Sequence, residues 1–155
     1  MAATLIKGVQ VKPLTVIPDE RGRLFEMLRR DEPMFRTFGQ VYCTAVAFGA
    51  VKGWHYHKKQ YDHFVCVAGM IKLVIYDGRP RSSTRGLVNE LFIGVHRPQL
   101  VQIAPGLHHG FKGISHPESL VINISSEPYR HGRPDEYRLD PHQNDIPYDW
   151  ARKDG

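Results

Sequence analysis

Turn-forming residues interrupt this chain at short intervals, at 18–22, 49–53, 68–70, 77–80, 105–106 and 113–117, which leaves little space for a long helix. The runs between them, 40–48, 62–67, 71–76, 100–103 and 119–124, are rich in β-branched and aromatic residues, which suit a pleated surface. Short strands at this spacing predict an all-β sandwich or barrel. In IKLVIY at 71–76 and SLVINI at 119–124 polar and apolar residues partly alternate, as they do where one strand face is packed and the other meets solvent or a cavity. The best helical candidate is one or two turns over 32–38, while 87–92 reads as a further strand. The tail beyond Arg130, with Pro134, Pro141 and Pro147 among charged residues, reads as an irregular strap. No linker or low-complexity tract divides the 155 residues, so a single domain over 1–155 is expected.

The apolar fraction of 41% and charged fraction of 24% exclude a disordered chain. No apolar run approaches the roughly 20 residues of a spanning helix, so no membrane partner is expected. Residues 1–12 lack the basic flank, apolar stretch and small-residue cleavage site of a secretory signal, and a cytoplasmic location is the expectation. Two cysteines, Cys43 and Cys66, are too few for a disulfide framework and read as buried small apolar residues. The net charge of +5 favours an anionic partner. Its arginines and lysines are scattered and form no groove-reading helix, which points to a phosphate-bearing small molecule and not to nucleic acid.

The stretch GAVKGWHYHKKQYDHFVCVAG at 49–69 places His55 and His57 two residues apart. On a strand that spacing puts both imidazoles on one face. Asp62 follows, and a later histidine, His109, arrives in PGLHHGF at 105–111. The spacing is similar to the two cupin motifs, with Asp62 where glutamate is usual, and it implies a cupin double-stranded β-helix, a jelly-roll barrel with short helices. In many cupins these positions ligate a divalent metal, and His55, His57, Asp62 and His109 have the chemistry to do so.

A second set of residues resembles the dTDP-4-dehydrorhamnose 3,5-epimerase family. Asp19-Glu20-Arg21-Gly22-Arg23-Leu24-Phe25-Glu26 is similar to its DxRGxFxE segment, and Gln40-Val41-Tyr42-Cys43-Thr44 falls at its QxNxS. Lys52-Gly53-Trp54-His55-Tyr56-His57 falls at RGLHYQ, residues 105–111 at PxGFxHGF, and Tyr129, Glu136 and Asp140-Pro141 follow the family's ending. The order agrees from about Gly8 to Trp150, nearly the whole chain.

The resemblance implies a cofactor-free isomerase of a nucleotide-diphosphate sugar, a 4-keto-6-deoxy sugar. His55 would take the proton beside the C4 ketone and Tyr129 would return one on the other face. His109 would meet sugar or enolate oxygen, and Arg21 and Lys52 the diphosphate. Phe25, Glu26, Gln40, His57 and Asn123 would complete the binding site. It also implies a homodimer, in which an N-terminal strand within 5–16 extends the neighbouring sheet.

The chain departs from the family at several positions. Lys52 replaces arginine, His57 replaces glutamine, and Asp62 stands where a lysine would stabilise the enolate. Tyr42 stands at an asparagine position and Asn123 at a tyrosine position. No carboxylate stands at the spacing of the aspartate that pairs with the catalytic histidine in that family, and Asp154, near its place, does not fit well. Single epimerisation, ketosugar isomerisation, a metal-dependent cupin and a sugar-binding module without catalysis are the alternatives these departures leave open.

Overall fold

In the computed structural model, which describes residues 4–154, the runs between turns are strands. They are β1 (Val9–Pro13), β2 (Ile17–Asp19), β3 (Gly22–Leu24), β4 (Gln40–Ala47), β5 (Val51–Tyr56), β6 (Asp62–Ala68), β7 (Met70–Tyr76), β8 (Val88–Gly94), β9 (Gln99–Ile103), β10 (His108–Gly113), β11 (Glu118–Ser125) and β12 (Tyr137–Arg138). One sheet has the order β1-β9-β6-β11-β4 and the other β12-β5-β10-β7-β8, while β2 and β3 form a separate hairpin. Every strand pairing is antiparallel. This is the jelly-roll arrangement expected from the sequence.

Side chains alternate across each strand, so each sheet sends one row inward. Phe64 and Cys66 of β6, Val101 and Ile103 of β9 and Val121 of β11 meet Ile71, Leu73 and Ile75 of β7 and Phe111 of β10 in the central core. The outer faces are covered by irregular chain. Phe25, Met27, Leu28 and Met34 pack on Val65, Val67 and Leu100 outside the first sheet. On the second, the strap brings Ile146, Tyr148 and Trp150 onto Trp54, Val74 and Val88. Trp54 and Trp150 are both fully buried with ring centroids 5.0 Å apart, and they are the packing aromatics that anchor the strap.

Gly69 forms the β6–β7 turn at a φ of +69°, a left-handed conformation that a side chain would strain. Gly53 and Gly110 have a different role. A Cβ on Gly53 would lie 2.9 Å from the Cα of Gly110, so the glycines of GWHYH and HHGF allow β5 and β10 to approach beside the histidines.

Two expectations need correction. Among the described residues no helix forms: 32–38 contains isolated turns, with the Phe35 amide donating to the Glu32 carbonyl at 3.0 Å. Pro33 and Gly39 bracket too few residues to repay helix nucleation. Cys66 is buried as expected, but Cys43 is exposed because it points outward from β4, the last strand of its sheet. No described helix is long and apolar enough to cross a membrane. The N-terminal strand β1 takes the outer place of the first sheet, pairing Val9 with Ile103 of its own chain.

Candidate functional site

The inward rows of β4, β5, β6 and β10, with the strap, enclose a cavity of about 690 Å³. Period-two alternation sends Gln40, Tyr42 and Thr44 in from β4, His55 from β5, Asp62 and Phe64 from β6, and His109 and Phe111 from β10. His109 pairs with His55 across the β5–β10 ladder, and their rings are 6.3 Å apart at the centroids. His57 follows the end of β5 and still faces the cavity.

Asp62 is the hub. Its Oδ2 lies 3.1 Å from His57 Nε2 and 3.1 Å from His109 Nε2. Its Oδ1 accepts from Gln60 Nε2 at 2.7 Å and from Asn123 Nδ2 at 2.8 Å. Burial opposes ionisation of this carboxyl, yet hydrogen bonds from His109 and His57 hold it well below the usual carboxylate range. Burial would likewise lower His57, but the hydrogen bond and charge of Asp62 raise it to about 9. His57 is thus a cation at neutral pH, and the negative charge that Asp62 introduces is matched inside the barrel wall.

His55 is the opposite case. Burial, then repulsion from His109, lowers it to about 4, and Glu136 on the strap pulls weakly the other way. Its imidazole is neutral at cellular pH. Asp154 does not reach it and pairs with Arg152 at 2.7 Å.

Tyr129 lines the cavity from the segment that leads into the strap, its backbone amide donating to Gln40 Oε1 at 3.0 Å. Lys52 is also on the wall, with Nζ donating to Thr44 Oγ1 at 2.6 Å. Asn123 sits fully buried behind the wall. Of the ten residues expected to catalyse or bind, His55, Tyr129, Gln40, Lys52, His57 and His109 therefore share the cavity, and Asn123 supports it.

Arg21, Phe25 and Glu26 do not line it. Arg21 is solvated at the tip of the β2–β3 hairpin, pairing with Asp19 at 2.6 Å. Phe25 packs on the outer face of the first sheet, and Glu26 pairs with Arg29 at 3.3 Å. Of the four possible metal ligands, His57, Asp62 and His109 bring ligating atoms within 4.8 Å of one another, and His55 lies outside that group.

Sequence reasoning missed several wall residues. Tyr42 and Thr44 carried a signal, since they are two and four residues beyond Gln40 on one strand. Asp135 and Arg138 carried none, because the strap has no periodicity. Asp135 seats the strap by accepting from the amides of Lys58, Lys59 and Gln60 at 2.9, 2.8 and 3.1 Å. Its carbonyl also meets His57 Nδ1. Glu136 and Arg138 pair with each other at the rim, 2.6 Å apart.

The family model described as dTDP-4-dehydrorhamnose 3,5-epimerase matches residues 3–155. A probable low-salt glycan biosynthesis epimerase of Haloferax volcanii, Agl13, is 38% identical over 93% of this chain and 89% of its own length. The spore coat polysaccharide biosynthesis protein SpsL of Bacillus subtilis is 32% identical over 94% of this chain and 97% of its own. Among solved structures, a dTDP sugar isomerase from Desulfovibrio desulfuricans superposes with a TM-score of 0.90 at 34% identity, covering 98% of both chains. The 3′-monoepimerase ChmJ of Streptomyces bikiniensis, in complex with dTDP-quinovose, gives 0.77 at 26% identity over 91% of this chain and 74% of that one.

Proposed function

The chain belongs to the dTDP-4-dehydrorhamnose 3,5-epimerase family of sugar-nucleotide isomerases, and from that premise we propose that it inverts a carbon beside the ketone of a dTDP-linked 4-keto-6-deoxy sugar. The observation that carries this reading is that His55 and Tyr129 are walls of one cavity whose volume, about 690 Å³, lies in the range of small-molecule sites.

In the proposed reaction neutral His55 accepts the proton from the carbon next to the ketone. The C–H electron pair becomes a C=C bond and the carbonyl electrons move to the ketone oxygen. Tyr129 then gives its phenol proton to the opposite face, the electrons return, and the ketone is restored with that carbon inverted. Solvent returns a proton to the phenolate and takes one from His55. Lys52, at the rim, meets the diphosphate as a point charge. Incubation with dTDP-4-keto-6-deoxyglucose, followed by NMR of the sugar, tests the reading: inversion at C3 or C5 is expected, and an unchanged sugar would oppose it.

The cluster of His57, Asp62 and His109 supports a second reading, a metal-dependent cupin. Two imidazoles and a carboxylate suit Fe(II), Mn or Zn, which would act as a Lewis acid on a ketone oxygen. Metal analysis of untagged protein separates the two: near one metal per chain favours the second reading, and none favours the first.

We also propose a homodimer. An isolated two-stranded hairpin is marginal in water, yet β2–β3 exposes Ile17 and Leu24, each by more than half, and the edge strand β4 exposes Val41 similarly. Laying the hairpin of one chain along β4 of its partner would cover these surfaces and bring Arg21 to a second cavity.

A further inference from the structure

The enolate of the proposed reaction puts negative charge on the ketone oxygen, and the lysine that the family resemblance places at position 62 is here an aspartate sealed into the wall. We propose that Tyr42 is a further catalytic residue, donating a hydrogen bond to that oxygen in place of the lysine. This rests on the epimerase reading and adds to it the group that bears the developing charge.

Asn123 Oδ1 accepts from the backbone N–H of His63 at 3.0 Å, which fixes which end of the side chain is the amide nitrogen. Nδ2 then donates one proton to Asp62 Oδ1 at 2.8 Å and the other to Tyr42 Oη at 2.9 Å. Because Nδ2 can only donate, the Tyr42 oxygen accepts. Its own proton points elsewhere, and Tyr42 is a cavity wall residue. Burial, opposed by the Asn123 bond, raises this phenol to about 12, which keeps it in the donor form.

Position supports the same assignment. Tyr42 pairs directly with Asn123 across the β4–β11 ladder, and a single amide nitrogen links its hydroxyl to Asp62. The donor thus sits one hydrogen-bonded group away from the position where the resemblance puts the lysine. The family pattern has asparagine at 42 and tyrosine at 123, so here the amide and the phenol have exchanged strands and remain partners. A phenol whose oxygen already receives a hydrogen bond is a stronger donor and needs no reorganisation as charge develops.

The test is deuterium entry beside the ketone of dTDP-4-keto-6-deoxyglucose in D₂O, with dTDP affinity measured in parallel, for wild type, Tyr42→Phe and Tyr129→Phe. Tyr42 stands on an edge strand with 42% of its surface exposed, and chemical unfolding of Tyr42→Phe checks that the fold withstands loss of the bond from Asn123. Tyr42→Phe is expected to slow deuterium entry about 100-fold with dTDP affinity unchanged. Tyr129→Phe is expected to retain entry while losing inversion, since the enolate still forms. Entry at the wild-type rate in Tyr42→Phe, or a matching loss of dTDP affinity, would overturn the Tyr42 assignment alone. No entry in the wild type would overturn the epimerase reading and the assignment with it.

Discussion

Asp62 and His109 meet through Oδ2 and Nε2 at 3.1 Å, with both side chains almost wholly buried. The same oxygen also serves His57 at 3.1 Å, so one carboxylate organises two imidazoles from different strands. Removing one partner of a buried pair leaves the other uncompensated, at a cost of roughly 3–5 kcal/mol. Asp62→Asn is expected to lower unfolding stability by about that amount in urea titrations. NMR titration should show His57 falling from about 9 towards its ordinary 6.5. The sign for the wild type follows from the raised value: the His57 contribution is full below about 6.5 and is lost as pH rises through about 9. Alkaline loss of stability that persists unchanged in Asp62→Asn would contradict this.

With His55 as the proposed base, its titration is expected to set the acid limit of activity. A base must be unprotonated, and burial with repulsion from His109 places its titration near 4 instead of 6.5. The value of kcat/KM, which reports the free enzyme, is expected to hold from pH 7 to about 5 and to fall only near 4. A limb at 6.5 would mean that His55 is solvated in the working enzyme.

Trp150 ties the strap to the barrel through Trp54. Truncating a buried tryptophan costs roughly 3–5 kcal/mol, and Trp150→Ala is expected to lose about that much in chemical unfolding. Asp135, Glu136 and Arg138 ride on the strap as cavity walls, so KM should rise more than kcat falls. Equal stability of variant and wild type would show that the strap holds without this anchor.

A homodimer is expected to sediment at about twice the 17.8 kDa chain mass. Leu24→Asp places a charge on the hairpin face and should give monomers with weakened dTDP binding. A monomeric wild type would remove the proposed role for Arg21 at a second cavity.

How far the sequence reached depended on periodicity. Strands such as β6 and β11 were legible because Phe64, Cys66 and Val121 recur on one face between turns, and His55 and His109 were legible through their motifs. Asp62 was visible as a residue but not as a hub, because only His57 and Gln60 are its neighbours in sequence, while Asn123 and His109 reach it from strands 61 and 47 positions away. Turn propensity at 32–38 read as helix, since local preference carries no information on whether neighbours support a full turn. Arg21 and Glu26 lie outside the cavity of their own chain, which no linear pattern could reveal. The strap residues Asp135 and Arg138 were silent because an irregular segment is placed by its anchors and not by a repeat.

The proton-abstraction step gives the most direct measurement. With dTDP-4-keto-6-deoxyglucose in D₂O, His55→Asn is expected to slow deuterium entry beside the ketone by about 1,000-fold while dTDP still binds. Exchange at the wild-type rate in that variant would contradict the assignment of His55 as the base.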